Sequence, residues 1–378
     1  MSSSDFTSGM AEATRMTRNG RLAEATAVIQ RLLSPRGAPP AAEAAAPPTT
    51  RVVPALAAPP APAEPRPARA KRPGLRETLR RLSERARAAE ARRSSAPPAV
   101  AEGARFEASS FANAAGSRDY KLYVPTTAEG RGPRPLVLML HGCTQNPDDF
   151  ARGTRMNAAA EETGALVLYP AQPATANPKR CWNWFRPEDQ NGALGEAALL
   201  AGLTRSVIAA ENVDPARVYV AGISAGGAMA ANLAAAYPEI FAAAGVHSGL
   251  PAGAAHDVPS AFGAMRGGSR GAPAERPVRT IVFHGDGDPV VNPANAAAVV
   301  EQATAPAGTL RVETLDGTAG GRTFRRSIHS DGYGRTLCEQ WTVHGAGHAW
   351  SGGDPSGSHA AAAGPNASRE MLRFFLEG

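Results

Sequence analysis

The sequence predicts an α/β fold: a mostly parallel sheet with helices on both faces, preceded by helical and disordered N-terminal segments. Three observations predict it. From residue 104 onward, short β-rich runs alternate with helical segments. Several of those runs are almost continuously apolar, as in Pro135-Leu-Val-Leu-Met-Leu140, which suits strands buried on both faces. The first 103 residues have a different texture, rich in arginine, alanine and proline.

Residues 1–33 read as an amphipathic N-terminal segment, its helix running over 10–33. Leu22, Val28, Ile29, Leu32 and Leu33 recur there at helical spacing, with Arg and Glu between them. Residues 34–73 hold twelve prolines among alanines and read as an extended, disordered linker. Residues 74–103 form a basic helical segment in which Leu75, Leu79 and Leu82 make a thin apolar stripe. Neither helix buries enough area to be a domain, so each is expected to dock on the catalytic body, another subunit or an insoluble surface. Residues 104–378 are the remaining domain. Its strand candidates are Tyr120–Val124, Leu136–Leu140, Ala165–Tyr169, Val218–Ala221, Ala243–His247, Thr280–His284, Leu310–Leu315 and Cys338–Val343. The expected helices are Ala193–Glu211, Ala225–Tyr237, Pro293–Thr304 and Ala367–Leu376.

Charge follows the same division. Residues 1–103 carry 17 Lys+Arg and 9 Asp+Glu, a net of +8, whereas the other 275 carry 23 and 25, a net of −2. A basic arm suits an anionic surface or an acidic partner, or simply solubility. No nucleic-acid partner is expected, and a polymer-granule surface stays open. Three cysteines are too few for a disulfide scaffold and lack metal-ligand spacing, so no metal site is expected. Met1-Ser-Ser-Ser-Asp-Phe6 does not open as a signal peptide, and no apolar run of about 20 residues predicts a membrane span. The cytoplasm is the default location.

The strongest chemical signal is Val218-Tyr-Val-Ala-Gly-Ile-Ser224-Ala-Gly-Gly-Ala-Met229. A G-x-S-x-G pentapeptide between an apolar strand and a small-residue helix is the nucleophile elbow of an α/β-hydrolase, and Ser224 is its nucleophile. Glycines two positions to either side relieve crowding at so tight a turn. In that fold the acid and the histidine follow later in the chain, at strand ends. Asp288 is the acid candidate, just past the strand Ile281-Val-Phe-His284 and immediately before Pro289-Val290-Val291; Asp286 is its rival. His348 is the base candidate, in the glycine-rich run Val343-His-Gly-Ala-Gly-His348, while His344 abuts the strand and is read as loop support. An oxyanion hole needs two backbone N–H donors. Ala225 follows the nucleophile, and Cys143 lies in the loop His141-Gly142-Cys143-Thr144-Gln145 after an early strand. Arg180-Cys-Trp-Asn-Trp-Phe185 is an aromatic cluster in a chain with 6% aromatics. It is either core packing or a substrate wall, and we expect Trp182 or Trp184 to line the site. Pairing of Cys181 with Cys143 would tie that wall to the oxyanion loop, while a cytoplasmic location speaks against it.

Taken together, six co-linear motifs over roughly residues 105–378 resemble the polyhydroxybutyrate depolymerase family of esterases, relatives of feruloyl and acetyl-xylan esterases. They are Leu140-His-Gly-Cys-Thr-Gln145, Tyr169-Pro-Ala-Gln172, Cys181-Trp-Asn-Trp-Phe185, Gly222-Ile-Ser-Ala-Gly-Gly227, His284-Gly-Asp-Gly-Asp288 and Gly347-His-Ala-Trp-Ser-Gly-Gly353. The resemblance implies a serine hydrolase of carboxylic esters, with Ser224, Asp288 and His348 as triad and Cys143 marking the oxyanion loop. It implies hydroxyalkanoate esters as substrates, or feruloyl or acetyl-xylan esters, and no cofactor. It also implies an extracellular alternative to the cytoplasm, because family members include secreted depolymerases. The contrasting reading is a granule-associated binding protein that works through its N-terminal arm.

Overall fold

Successive side chains of a strand point to opposite faces, and the central strands here are apolar at both sets of positions. In the computed structural model, which describes residues 97–128, 132–191, 194–273 and 278–377, that pattern yields one large sheet. The helix expected over 10–33, the 34–73 linker and residues 74–96 of the expected 74–103 helical segment lie outside the described residues, and residues 97–103 carry no helix.

Among the described residues, ten strands follow the spatial order β1 (Arg105–Asn113), β2 (Gly116–Val124), β4 (Leu166–Pro170), β3 (Arg134–Leu140), β5 (Val213–Ile223), β6 (Ala243–His247), β7 (Arg279–Gly285), β10 (Thr336–Val343), β9 (Arg322–Ser330) and β8 (Arg311–Ala319). The six from β4 to β10 are mutually parallel. An antiparallel pair extends each edge, β1 with β2 and β9 with β8. Leu136, Leu138 and Leu140 of β3 enter the core on one face, and Val137 and Met139 enter it on the other. All five are fully buried, each contributing about 1.5–3 kcal/mol by leaving water.

Helices α1 (Pro147–Thr154), α2 (Met156–Thr163) and α8 (Ala367–Leu376) cover the face that holds Val137 and Met139. In α8, Met371, Leu372 and Phe375 recur at i, i+1 and i+4 and are buried, while the half-buried Arg373 pairs with Glu339 of β10. A one-turn helix, α3 (Pro187–Gln190), precedes α4 (Glu196–Ala210), α5 (Ala225–Ala236) and α6 (Val258–Gly267), whose buried side chains join Leu136 and Leu138 on the opposite face. Helix α7 (Ala294–Thr304) packs its Ala296, Val299, Val300 and Ala303 against Val246 and Val282. Two short strands, β11 (Trp350–Ser351) and β12 (Ala360–Ala361), pair after β10. No helix among the described residues is long and apolar enough to cross a membrane.

The expected α/β architecture is the observed one. Strands β1 and β9 and helices α1, α2 and α6 add to the expected elements. β1 and β9 are largely exposed or half-buried, so they lack the apolar run that marks a central strand.

Candidate active site

The chain reverses its strand order between β3 and β5, and the C-terminal ends of strands at such a switch point are where α/β sheets place their ligands. Ser224 stands at that point, between the last residue of β5 and the first of α5. Its backbone is left-handed, with φ 57° and ψ −123°, a strained conformation for a residue with a Cβ. Two contacts over-determine the turn. Ser224 N–H donates to the carbonyl of His247 at 2.9 Å. The backbone of α5 also passes so close to β3 that a Cβ on Gly226 would lie 2.0 Å from the Leu140 oxygen. Gly222 is equally constrained, since its Cβ would lie 2.5 Å from Gly226. The two glycines of the pentapeptide thus let the end of β3 and His141 approach the elbow.

Asp288 and His348 come from loops that follow the parallel neighbours β7 and β10, whose register pairs Gly285 with Val343. His348 Nδ1 donates to Asp288 Oδ2 at 2.7 Å. The other carboxylate oxygen accepts the amides of Val290 at 2.8 Å and Val291 at 3.0 Å. His284 Nε2 lies 3.5 Å from the same Oδ2 and also meets the Val291 carbonyl at 2.9 Å. Burial pushes the Asp288 carboxyl up, but hydrogen bonds from His284 and His348, and the charge of His348, outweigh it. The carboxyl is held well below the ordinary range and stays ionised. The rival Asp286 instead bonds His344 Nδ1 at 2.8 Å and the Gly345 amide at 2.6 Å. That pair is half-exposed, whereas the Asp288 side chain is fully buried.

The 141–145 loop, the candidate oxyanion loop, is braced on several sides. The amides of Gly142, Thr144 and Gln145 are engaged, by Gln145 Oε1 at 2.8 Å, the Lys179 carbonyl at 2.7 Å and the Gly142 carbonyl at 3.3 Å. Cys143 and Cys181 form a disulfide, so the pairing that the sequence left open is made. Ala225 opens α5, where first-turn amides have no partner within the helix. Trp182 and Trp184 do not form the expected wall. Trp182 is fully buried and gives its indole N–H to the His141 carbonyl at 3.0 Å, and Trp184 is 5% exposed and packs edge-on against Phe185. Burial of so large an apolar surface outweighs presenting it to a ligand, and Trp182 supports the 141–145 loop through His141.

Sequence reasoning missed two supports. One is His247, whose carbonyl holds the Ser224 amide and whose ring is stacked between Phe283 and Trp350. The other is Glu196, buried among Arg118, Gln172 and Asn183 beneath the 181–184 segment. The signal for His247 was a histidine closing an apolar strand, repeated at residues 141, 284 and 344.

Residues 118–324 match the family described as esterase PHB depolymerase. The chain belongs to the PHB depolymerase esterase family. Among curated PHB depolymerase relatives, poly(3-hydroxyalkanoate) depolymerase C of Paucimonas lemoignei is 32% identical over 257 residues, covering 64% of this chain and 61% of its own. The chain thus spans under two thirds of that relative. Feruloyl esterase B of Neurospora crassa is 29% identical, over 52% of this chain and 73% of its own. Among solved structures, an acetyl xylan esterase from Aspergillus awamori aligns with a TM-score of 0.55 at 20% identity, over 72% of this chain and all of its own, a likeness of fold.

Proposed function

We propose that residues 104–378 hydrolyse carboxylic esters through an acyl-enzyme, with poly- or oligo-hydroxyalkanoate esters as the substrate class. The observation that carries the reading is the buried Asp288–His348 hydrogen bond, formed at the same sheet edge as the strained Ser224 turn. In this mechanism Ser224 Oγ attacks the ester carbonyl carbon as its proton passes to His348 Nε2. Asp288 stabilises the imidazolium. The amides of Ala225 and Cys143 hold the tetrahedral oxyanion, each donor being worth ~10²–10³ in rate. The C–O bond then breaks, the alkoxide takes the proton from His348, and the acyl group stays on Ser224. Water attacks the acyl carbon, gives its proton to His348, and Ser224 leaves with it.

The Paucimonas depolymerase favours the hydroxyalkanoate class, and the Neurospora esterase favours a second reading, a feruloyl ester. Turnover on hydroxybutyrate oligomers, methyl ferulate and acetylated xylan separates them. The Cys143–Cys181 bond supports an oxidising compartment over the cytoplasm, since such bonds persist mainly outside reducing cytosol. Residues 1–103 are proposed as a localising arm, which deletion of residues 1–100 tests by loss of polymer-granule binding with turnover retained.

Ser224→Ala tests the central claim. Hydrolysis of p-nitrophenyl butyrate should fall by at least 10³-fold, and a fluorophosphonate probe should label Ser224 alone. Full turnover in the variant, or labelling at another serine, would sink the reading.

A further inference from the structure

Next to the Asp288–His348 pair stands a second carboxylate–imidazole pair that the proposed chemistry does not use. Strands β7 and β10 end in register, Gly285 beside Val343, so the residues that follow them, Asp286 and His344, meet side by side. Asp286 Oδ2 accepts from His344 Nδ1 at 2.8 Å, and Oδ1 accepts from the Gly345 amide at 2.6 Å. Main-chain bonds continue the seam, Asp286 N–H to Val343 O at 3.3 Å and Gly287 N–H to Ala346 O at 3.1 Å. The two loops are in backbone contact there, since a Cβ on Gly285 would lie 2.2 Å from the Ala346 oxygen.

What lies between this seam and the base is short and soft. Only Gly345, Ala346 and Gly347 separate His344 from His348, and Gly345 is left-handed at φ 66°. Two glycines in three residues give the turn little shape of its own. The ring of His348 is fixed at one end by Asp288 and at the other by how firmly its loop is fastened. Arg322 adds to that fastening by donating to the His344 carbonyl at 3.2 Å.

We propose that Asp286 and His344 are positioning residues, a clamp that locks the histidine loop to the acid loop and so aims His348 at Ser224. Neither touches substrate. The inference rests on the esterase reading above. Its effect falls on turnover and not on affinity, because a misaimed base slows proton transfer while leaving the binding surface intact. Misplacement by about 1 Å can cost ~10²-fold, so a loosened but still tethered loop should cost about tenfold.

The test compares Asp286→Ala, His344→Ala and His344→Asn by p-nitrophenyl butyrate kinetics and thermal unfolding, with Ser224→Ala alongside. Both alanine variants should lower kcat about tenfold with KM changed less than twofold and the melting temperature nearly unmoved. His344→Asn, whose amide can still donate to Asp286, should recover most of the loss. An unchanged kcat in Asp286→Ala, or a kcat loss that only follows a fall in melting temperature, overturns the clamp. So does an asparagine variant as slow as the alanine one. If Ser224→Ala is inactive while Asp286→Ala is untouched, the clamp alone fails. Turnover surviving Ser224→Ala overturns the esterase reading and the clamp with it.

Discussion

Removing the Cys143–Cys181 bond by replacing both cysteines with serine should lower stability and turnover together. The bond closes a loop of sequence separation 38. On the chain-entropy model, −2.1 − 1.5R ln n is roughly −13 cal/mol/K for that loop, or about 4 kcal/mol at 25 °C. The body from Arg105 to Leu376 spans about 270 residues, and at ~2.1 cal/mol/K per residue its unfolding entropy is ~0.6 kcal/mol/K. The melting temperature should therefore fall by about 7 °C. The effect on turnover has an upper bound, because losing an oxyanion donor outright costs ~10²–10³. Serine keeps the Cys143 amide, and the loop is still held by the Thr144–Lys179 and Trp182–His141 bonds. A loss of about tenfold in kcat is expected, well inside that bound. Calorimetry and p-nitrophenyl butyrate kinetics on the double-serine variant measure both. The buried Cys338 stays in place throughout. A melting temperature within about 2 °C of the parent, or an unchanged kcat, would refute the claim that this bond braces the oxyanion loop.

Two further outcomes follow from the same geometry. Gly226→Ala puts a methyl group 2.0 Å from the Leu140 oxygen, a backbone atom that cannot turn aside. It should cost at least ~3 kcal/mol and give a protein that is inactive or insoluble, read by thermal unfolding of whatever is recovered. Acidification should destabilise the fold through two buried histidines before the depressed aspartates Asp286 and Asp288 titrate. Burial lowers His141 to about 4 and His247 to about 3, so the unfolded chain takes up two protons below the ordinary value near 6.5 while the folded one does not. Their contribution is complete above 6.5 and is lost at about 1.4 kcal/mol per pH unit for each ring as pH falls, at most roughly 4 kcal/mol by pH 5. That figure is an upper bound because Glu196, raised by burial, binds its proton first in the folded state and works the other way. Asp286 and Asp288, both depressed, add their loss only below about pH 4. A melting temperature that is flat between pH 7.5 and 5 would contradict this.

Much of the fold was legible because its central strands are apolar runs with no competing helical period. Pro135–Leu140, short and opened by a proline, reads as a strand buried on both sides, and it is one. The antiparallel edges were harder. Arg322-Thr-Phe-Arg-Arg-Ser-Ile328 puts polar groups on both faces, and its pairing with β8 and β10 is a tertiary fact. At the candidate site, chain order and loop context pointed to Ser224, Asp288 and His348. The structure brings Asp288 to His348 and Asp286 to His344, a sorting that depends on the register of β7 with β10. The tryptophans misled because a Trp-rich segment beside a loop reads alike whether its rings face in or out. Burial decides that, and only the packed sheet sets burial.

The histidines at the strand ends bear on how, in the proposed mechanism, one ring is left to act as a base. His141 follows β3, and its Nε2 accepts the Gln172 amide at 3.1 Å while Nδ1 faces the Gly142 carbonyl at 2.8 Å. His247 closes β6, and its Nε2 accepts the Ser351 amide at 3.0 Å while Nδ1 faces Ser248 Oγ at 3.2 Å. In each ring a proton on Nε2 would break a bond to a buried amide, so the hydrogen bonds select one neutral tautomer. Burial acts in the same direction on both rings. In the proposed mechanism their neutrality matters, because a second positive charge at this edge would oppose an imidazolium at His348. With those rings uncharged, the ionised Asp288 meets His348 at full strength. The Val290 and Val291 amides hold one carboxylate oxygen and leave the other for His348. The sheet edge therefore carries several histidines and assigns them opposite work. Some serve as fixed neutral hydrogen-bond acceptors within the core, and one, 10% exposed in the glycine-rich loop, is free for the base role that the proposed mechanism gives it.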